Sequence, residues 1–333
     1  MIRVAMLSFW HVHARDYARQ ATQHPEVEIV AAWDEDPERG RAQAEELGVE
    51  FHEELKDVLA REDVDGVIVD TPTNVHREVM VAAANAGKHI FTEKVLALTL
   101  HEANEILAAV ETAGVKLTVS LPRVYDPYTL AINEVLASGQ LGDVTLTRTR
   151  LSHNGAIGEG WLPGHFYNAE QTGGGALVDL GCHPMYLARI FQGGLPETVS
   201  ATYGHVTGRE VDDNAVAVLQ YPNGAISVVE AGFVNRYSPF SVEVHGTEGS
   251  LLFGTPDAKL LVRSPQQKDG ETFVEVPLPD RAPMAFDQWV GHINDGTTAT
   301  ENIALAVDLT RLMEAANLSV QNGAPVRLDS LAQ

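Results

Sequence analysis

The sequence predicts an α/β protein in which a doubly wound parallel sheet is followed by an α+β domain with a large, mostly antiparallel open sheet. The chain has 333 residues, more than the roughly 250–300 that one hydrophobic core usually fills. Residues 1–121 alternate short apolar runs with helical patterns, which is typical of βαβ units. Strands in series dominate after Pro122. We therefore predict two domains, residues 1–121 and 122–333.

In the first half, short apolar runs predict strands over residues 2–7, 27–33, 64–70, 89–93 and 116–121. Helical patterns separate these strands, and local signals mark where the helices begin and end. Pro37 suits a first helical turn, and Gly48 suits a C-terminal stop. Asn74 is predicted as an N-cap, and Thr99 with Glu102 as a capping box.

The second half is predicted to begin with a helix over residues 127–138 and a strand over 144–151. The period-two alternation of that strand suits an antiparallel sheet with one solvent-exposed face. A polar, glycine-rich loop spans 152–172, and one helix is predicted from Gly173-Gly174-Gly175 to about residue 191. Four or five further strands follow, two of them joined at the hairpin signal Asn223-Gly224. The last predicted helices cover residues 284–294 and 301–317.

Composition excludes several classes of partner. Lys and Arg total 23 against 46 Asp and Glu, a net charge of −23, so the protein repels nucleic acid and anionic membranes. No window approaches the roughly 20 apolar residues of a membrane span. The single cysteine, Cys182, excludes an intramolecular disulfide and a multi-cysteine metal site. Because Met1 leads into a strand-like run rather than a signal peptide, we expect a cytoplasmic location.

The turn after the first strand is where a dinucleotide-binding βαβ unit carries its glycines. Here the turn reads Ser8-Phe9-Trp10-His11-Val12-His13, so Ser8, Trp10 and His13 occupy the three glycine positions of GxGxxG. Asp34 ends the second strand, where a carboxylate would bind an adenosine ribose hydroxyl. No arginine follows Asp34 directly, which favours NAD over NADP. The alternative is that Asp34 only caps the following helix.

Stronger signals lie further along the chain. Residues 71–76 (TPTNVH), 86–94 (AGKHIFTEK) and 173–183 (GGGALVDLGCH) resemble successive signatures of the Gfo/Idh/MocA oxidoreductase family. Shorter matches keep the same order at residues 139–142 (GQLG), 211–214 (VDDN) and 246–251 (GTEGSL). The resemblance implies a Rossmann domain, a C-terminal domain that often forms dimers or tetramers, and NAD(P)-dependent oxidation or reduction of sugars and polyols. The chain departs from the family at the glycine-free turn and at Val95, where the family usually has proline.

The resemblance places three reactive residues at Lys94, Asp179 and His183. Hydride transfer from a secondary alcohol needs an acid/base group, and imidazole titrates near neutral pH, so His183 is the predicted acid/base. Asp179, four residues earlier on the same predicted helix, would orient the imidazole or hold a substrate hydroxyl. Lys94, at the carboxyl end of a parallel strand, would polarise the substrate oxygen. Without the family context, Asp179 and His183 would be an ordinary helix-surface pair.

The predicted cofactor site is spread over four segments of the chain. Its residues are Ser8, Phe9, Trp10, His11, Val12, Asp34, Thr71, Pro72, Thr73, His76, Glu93 and Lys94. The predicted substrate residues combine hydroxyl-binding and aromatic groups and are Arg123, Tyr125, Asn154, Trp161 and His165. The alternatives are a surface ion pair for Arg123, a 152–172 loop packed on its own aromatic rings, and a solvated helix histidine for His76.

Together these residues predict an NAD-dependent oxidoreductase that acts on a sugar, sugar acid or cyclic polyol as a homodimer or homotetramer. No metal is expected, because Asp179 and His183 could join His11 and His13 only across two predicted domains. The missing glycines motivate a rival, a catalytically inactive member that acts as a sugar- or dinucleotide-responsive regulatory protein. A third possibility is an enzyme whose cofactor is held permanently and covered by Phe9 and Trp10.

Overall fold

The computed structural model describes residues 1–238, 240–255, 257–267 and 270–332. They form two compact units. The first contains Met1–Leu121 and Pro283–Thr310, and the second contains Pro122–Ala282 and Arg311–Ala332. The segment Pro283–Thr310 thus belongs to the first unit, although the sequence analysis assigned it to the C-terminal domain. Within the described residues, no helix combines the length and apolar character needed to cross a membrane.

The first unit is built around a parallel sheet of six strands within the described residues. Its elements are β1 (Ile2–Leu7), α1 (Ala14–Gln23), β2 (Val27–Trp33), α2 (Pro37–Leu47), β3 (Glu50–His52), α3 (Leu55–Leu59), β4 (Gly66–Val69), α4 (His76–Asn85), β5 (His89–Thr92), α5 (Leu100–Ala113) and β6 (Leu117–Val119). The strand order is β3-β2-β1-β4-β5-β6, and all neighbours are parallel. The predicted doubly wound parallel sheet is confirmed.

Cap geometry confirms several predicted helix boundaries in this unit. Gly48 follows α2 in the left-handed region with φ of 71°, and Thr99 with Glu102 forms the capping box of α5. Asn74 is not an N-cap, because it lies in a short 3-10 turn and α4 begins only after Val75. Neither β3 nor α3 was predicted, since elements of three and five residues are too short to show periodicity.

The second unit contains a sheet of nine strands in the part of the chain that the structure describes. The elements from residue 122 onward are α6 (Pro127–Ala137), β7 (Val144–Ser152), α7 (Ala169–Thr172), α8 (Ala176–Asp179), α9 (Cys182–Gln192), β8 (Thr198–Gly204), β9 (Asn214–Gln220), β10 (Ile226–Gly232), β11 (Ser241–Gly246), β12 (Ser250–Phe253), β13 (Leu260–Arg263), β14 (Val274–Val276), α10 (Ala285–Asp295), α11 (Thr300–Asn322) and β15 (Val326–Arg327).

The order in this second sheet is β14-β13-β12-β11-β7-β10-β9-β8-β15. Among the described strands, β7 and β10 pair in parallel, and the other neighbours are antiparallel. The predicted large, mostly antiparallel open sheet is therefore confirmed. It has more strands than the four or five expected after the 173–191 segment, because short edge strands such as β14 and β15 give weak sequence signals.

The helix predicted from the triple glycine to residue 191 is interrupted. Helix α8 ends at Asp179, and α9 begins only after Leu180 and Gly181. The amides of Leu180 and Gly181 both donate to the Ala176 carbonyl, at 3.1 and 2.9 Å. The second of these bonds spans five residues, which widens the helix locally and shifts its periodicity. The prediction that Asp179 and His183 share a face of one continuous helix is therefore wrong.

Helix α10 packs into the first unit through aromatic rings. Phe286 and Trp289 are buried, and their ring centroids lie 5.2 and 5.9 Å from that of Phe91 in β5. Trp289 also covers Gly66 in β4, where a Cβ atom would lie 3.0 Å from the indole. Burial of these large rings is the physical reason that Pro283–Thr310 belongs with the parallel sheet.

Candidate active site

The turn between β1 and α1 lies at the carboxyl edge of the parallel sheet, where the strand order reverses between β1 and β4. Ser8 follows β1 with φ of 79°, in the left-handed region that favours glycine. Its hydroxyl accepts the Trp10 amide at 3.1 Å. The first position of the dinucleotide turn therefore has a glycine-like backbone conformation although serine occupies it.

The backbone amides of this turn already donate within the protein. The Phe9 amide donates to Asp34 Oδ2 at 2.8 Å, and the His11 amide donates to the Asp70 carbonyl at 3.2 Å. The His13 amide donates to Nδ1 of His11 at 3.2 Å. A pyrophosphate bound here would have to draw these amides away from their present acceptors. The cofactor-binding role of residues 8–12 stays a prediction.

Asp34 is fully buried at the end of β2 and accepts four hydrogen bonds. Oδ2 accepts from the Phe9 amide and Arg39 Nε at 2.8 and 2.9 Å, and Oδ1 accepts from the Asp36 amide and Arg39 Nη2 at 2.8 and 2.6 Å. Asp36, not Asp34, is the N-cap of α2. The alternative that Asp34 caps this helix is therefore wrong. The guanidinium of Arg39, five residues after Asp34, binds the Asp34 carboxylate. This contact was not predicted, because only the residues directly after Asp34 were searched for arginine.

His76 is buried at the start of α4 and joins two loops. Its Nδ1 lies 3.0 Å from the Val95 carbonyl oxygen, and its Nε2 lies 3.1 Å from the Thr71 carbonyl oxygen. Burial lowers the pKa of His76, although these carbonyl contacts oppose the shift. His76 is therefore not a solvated helix histidine. It positions the segment that follows Lys94, whose peptide bond to Val95 is cis.

Glu93, directly after β5, lies against two histidines of the β1 turn. Its Oε2 lies 3.1 Å from Nδ1 of His13 and 3.8 Å from Nδ1 of His11. The Tyr17 hydroxyl donates to the same oxygen, and the Lys94 amide donates to Oε1 at 3.0 Å. Burial alone would raise the pKa of Glu93, but the charges of His11 and His13 hold it below its ordinary value. Glu93 is therefore an anion at the sheet edge.

Asp70 follows β4 and is a second buried carboxyl group at this edge. Neither of its carboxyl oxygens has a hydrogen-bond partner among the described residues. Burial raises the pKa of Asp70, and the negative charge of Glu93 raises it further. Thr71, the next residue, is also buried, and its hydroxyl oxygen has no hydrogen-bond partner in the described chain. These are polar atoms that a bound group would satisfy.

In the second unit, the 173–183 and 211–214 motifs pack against each other. Asp212 Oδ1 accepts the Gly175 amide at 2.7 Å, and Oδ2 accepts the Leu177 amide at 2.9 Å. A Cβ atom on Gly175 would lie 1.9 Å from the Asp212 carbonyl oxygen, so only glycine fits. The two motifs therefore form one structural element that fixes α8, which carries Asp179 as its last residue.

His183 is buried in the first turn of α9, and Tyr186 holds its ring. Nδ1 of His183 lies 3.0 Å from the Tyr186 hydroxyl oxygen, which also accepts the Arg123 amide at 3.0 Å. Burial raises the pKa of Tyr186, so its hydroxyl stays protonated at neutral pH. Because Tyr186 occupies Nδ1, acid/base chemistry by His183 would use Nε2.

Two predicted substrate residues lie in the turn that opens the second unit. The Arg123 guanidinium lies 4.5 Å from the centroid of the Phe240 ring, and its Nη1 donates to the Tyr128 hydroxyl at 3.3 Å. Asp126 Oδ2 lies 3.9 Å from Nη1 of Arg123, farther from that atom than the Tyr128 hydroxyl. Arg123 is thus held by aromatic groups more than by a surface ion pair. Tyr125 is buried.

The 152–172 loop packs partly on its own aromatic rings. His153 stacks on Phe233 with ring centroids 5.0 Å apart and contacts Trp161 at 4.7 Å. Trp161 is 57% exposed, whereas Asn154 and His165 are half-buried. Within this loop the exposed indole face is the group best suited to stack on a sugar ring.

The structure places Lys94 in the first unit, buried at the carboxyl edge, and Asp179 and His183 in the second unit. Their catalytic roles stay predictions. Arg39, Asp70 and Tyr186 were not among the predicted site residues. An aspartate that ends an apolar strand, and a tyrosine one helical turn after the predicted acid/base, were the signals that could have identified the last two.

A parallel sheet of this order, with lysine and carboxylate groups at its carboxyl edge, is typical of a nucleotide-binding Rossmann domain. Residues 3–121 match the family model described as "Oxidoreductase family, NAD-binding Rossmann fold", and residues 129–252 match that of the "GFO/IDH/MocA C-terminal domain". The chain belongs to the Gfo/Idh/MocA family of oxidoreductases, as its sequence motifs predicted.

Individual relatives agree with this assignment. The chain is 28% identical to 1,5-anhydro-D-fructose reductase of Ensifer adhaerens over 317 residues, 91% of this chain and 93% of the relative. It is 29% identical to scyllo-inositol 2-dehydrogenase (NAD(+)) of Bacillus subtilis strain 168 over 355 residues, 98% and 96% of the two chains. An uncharacterized oxidoreductase of Rhizobium meliloti, ORF334, is 30% identical over 234 residues, 69% and 67% of the two chains.

A solved structure has the same fold. Levoglucosan dehydrogenase in complex with NADH and levoglucosan superposes with a TM-score of 0.81 at 22% identity, covering 100% of this chain and 99% of that one. The two-domain architecture is therefore shared over the full length of the chain.

Proposed function

We propose that this protein is an NAD-dependent oxidoreductase that transfers a hydride between nicotinamide and a secondary hydroxyl or carbonyl group of a sugar, sugar acid or cyclic polyol. One observation carries the proposal. Lys94 lies in the segment that matches the NAD-binding model, and Asp179 and His183 lie in the segment that matches the C-terminal model. A chain that keeps all three reactive residues favours an enzyme over the catalytically inactive alternative.

The side chains divide the work as follows. Bound nicotinamide would supply the hydride acceptor or donor. His183 would take the hydroxyl proton at Nε2 during oxidation and return it during reduction, while Nδ1–H donates to Tyr186. The Lys94 ammonium would stabilise negative charge on a substrate oxygen. Asp179 would orient the imidazole or a second substrate hydroxyl.

Charge at the end of β2 supports NAD rather than NADP. The single guanidinium of Arg39 faces two carboxylates, with Nη2 lying 2.6 Å from both Asp34 Oδ1 and Glu35 Oε1. The three side chains together carry a net negative charge, which disfavours binding of the 2′-phosphate of NADP. The buried, unpartnered hydroxyl of Thr71 and the glycine-like conformation of Ser8 support dinucleotide binding at the neighbouring positions.

The substrate class rests on the chemistry of the second unit and on the relatives. Arg123, Trp161 and His183 offer a cation, an exposed aromatic face and an acid/base group, a set that suits a polyhydroxylated ring. The two relatives with assigned activities act, by their names, on an anhydro-sugar and an inositol. Both are compounds with secondary hydroxyl or carbonyl groups.

We further propose a homodimer or homotetramer located in the cytoplasm. The nine-stranded sheet leaves Val216 and Ile226 on its surface, 40% and 37% exposed. A second copy of the chain would cover such apolar groups. The mass of the purified protein, measured by light scattering, tests this assembly, and a monomeric mass would contradict it.

The decisive experiment is a cofactor titration. Purified protein is first denatured and its supernatant checked for released NAD(H) or NADP(H), which identifies a permanently held cofactor. Protein free of cofactor is then titrated with NADH and with NADPH, and tryptophan quenching is followed. We expect tighter binding of NADH. If neither dinucleotide binds and none is released, the dehydrogenase proposal is wrong.

Lys94→Met tests the proposed electrostatic role while keeping the volume of this buried side chain. With a substrate found in a panel of sugars and polyols, we expect kcat to fall by about 10²–10³-fold. Lys56→Ala, an exposed lysine on α3, is the matched control and should leave kcat unchanged. Unaltered turnover by Lys94→Met would remove the lysine from the mechanism.

A further inference from the structure

Three side chains of metal-ligating types meet in the first unit. His11 and Glu93 are predicted cofactor residues, but the proposed hydride transfer gives none of the three a chemical role. His11, His13 and Glu93 each offer one nitrogen or oxygen atom, and these atoms all lie within 4.8 Å of one another. His11 and Glu93 are buried, and His13 is 38% exposed. We propose that this cluster, the His11–His13–Glu93 site, binds one divalent transition-metal ion of the zinc class.

The donor set suits such an ion. Two imidazole nitrogens and one carboxylate oxygen are a usual ligand combination for Zn²⁺, with metal–ligand distances of about 2.0–2.2 Å. Two atoms bound to one tetrahedral ion are then about 3.3–3.6 Å apart. The distances from Glu93 Oε2 to Nδ1 of His13 and to Nδ1 of His11, 3.1 and 3.8 Å, already lie close to that separation.

Asp70 is an independent observation that points to a bound cation. It is a fully buried carboxyl group, and neither of its oxygens has a hydrogen-bond partner among the described residues. Its backbone carbonyl accepts the His11 amide at 3.2 Å, so Asp70 lies beside one of the proposed ligands. Buried oxygen atoms without a partner are acceptors that a bound ion or its water ligand would satisfy.

Hydrogen bonds from neighbouring groups already orient Glu93, one of the proposed ligands. The Tyr17 hydroxyl donates to Glu93 and also lies 2.6 Å from the Ser120 hydroxyl. The Lys94 amide donates to the other Glu93 oxygen at 3.0 Å. Such outer contacts orient ligands and are a general feature of metal sites.

The plainer interpretation is a hydrogen-bonded ion pair between protonated histidine and Glu93. That network would explain the 3.1 Å contact between His13 and Glu93, but it offers nothing to Asp70. A metal ion bound to the same atoms would replace that contact, and its water ligand would be a donor for the Asp70 carboxyl group. With three protein ligands, a tetrahedral ion keeps one open position for water or for a ligand oxygen. This position would lie at the sheet edge where ligands of open α/β sheets bind.

Metal titration of the full-length, tag-free protein tests the site without any nicotinamide cofactor, so its outcome is separate from that of the proposed function. Protein stripped with a chelator and then freed of it is titrated with Zn²⁺, and with Co²⁺ as a spectroscopic probe. We expect one ion per chain, a saturable visible absorption for Co²⁺, and a rise in Tm on Zn²⁺ addition.

His13→Asn and Glu93→Gln are the test variants, and each should weaken Zn²⁺ binding by about 100-fold or more. His101→Asn is the matched control, because His101 also lies beside a carboxylate, at 3.8 Å from Glu105, but on an exposed helix surface. The control should bind like the wild type. Equal binding by all variants, or no saturable Co²⁺ signal from the wild type, would overturn the proposal, and the second outcome needs no variant to fold.

Discussion

At the residue scale, Tyr186 has a direct consequence for the chemistry of His183. One hydroxyl group contacts both the imidazole Nδ1 and the Arg123 amide, so it links the predicted acid/base to the turn that carries a predicted substrate residue. Because the tyrosine is fully buried, its contacts are not shared with solvent. We infer that Tyr186 is a positioning residue for the imidazole.

Tyr186→Phe should therefore lower kcat by about tenfold, or 1.4 kcal/mol of barrier, and change the pH profile of kcat. Its cost in folding free energy should be about 1 kcal/mol, because the Arg123 amide loses its acceptor. Tyr221→Phe removes a similarly buried hydroxyl, which lies 3.3 Å from Ser227 Oγ, and should change stability only. A pH profile of Tyr186→Phe that overlays the wild type would contradict the positioning role.

Asp34 and Asp36 lie two residues apart but have separable roles. Asp34→Ser removes a carboxylate from the group around Arg39, so we expect the ratio of NADPH to NADH affinity to rise by about tenfold, or 1.4 kcal/mol. Asp36→Ser instead replaces the N-cap carboxylate of α2 with a hydroxyl group. Serine also caps helices well, so its stability cost should be small and the affinity ratio unchanged. Parallel fluorescence titrations measure both ratios, and equal ratios in the two variants would argue against Asp34 as a specificity residue.

At the element scale, the packing of α10 on β4 explains which part of the chain completes the parallel sheet. Gly66 leaves room for the Trp289 indole, and a Cβ atom there would also lie 3.1 Å from the His89 carbonyl oxygen. Gly291, on the same helix as Trp289, has no atom within 4 Å of the place where its Cβ would be. The two glycines therefore differ in what a methyl group would meet.

Gly66→Ala should destabilise the protein by about 1–3 kcal/mol through overpacking. Gly291→Ala should stabilise it by up to about 1 kcal/mol, since alanine is the better helix former. Urea unfolding of both variants measures the two free energies. The opposite signs are the test, and two variants of equal stability would show that α10 does not pack on β4 as described.

Local signals predicted the elements well, because caps and periodicity depend on neighbouring residues. The capping box of Thr99 and the left-handed Gly48 are examples. The helix break after Asp179 was missed, since it depends on how the Leu180 and Gly181 amides share one carbonyl. The contact of His13 with Glu93 was also missed, because 80 residues separate them and only the fold brings them together.

At the scale of the whole molecule, pH links the buried His76 to the stability of the chain. The folded state lowers the pKa of His76 by burial, so the unfolded chain binds the proton more readily once the pH falls through the ordinary histidine value of about 6.5. The stability that neutral His76 contributes is therefore complete above that pH and is lost as the pH falls below it.

His76→Asn should cost about 1–3 kcal/mol at neutral pH, because the buried ring and its carbonyl contacts are lost. The difference from the wild type should shrink as the pH is lowered from about 7.5 to about 5.5. His101→Asn, at an exposed histidine with 63% of its side chain accessible, should show no such trend. Urea unfolding of the wild type and His76→Asn across this pH range measures the difference in unfolding free energy. A difference that does not change with pH would contradict a neutral, buried His76 ring.

Helix α11 runs unbroken from Thr300 to Asn322, yet its residues pass from the first unit to the second between Thr310 and Arg311. The chain also changes units after Leu121 and after Ala282. Neither unit is thus one contiguous stretch of the gene. A fragment ending at residue 121 would lack Trp289. A chimera joined to a relative at that single point would pack α10 of one protein against the parallel sheet of the other. Recombination between family members should preserve the fold only when the C-terminal helices and the first 121 residues come from the same parent protein.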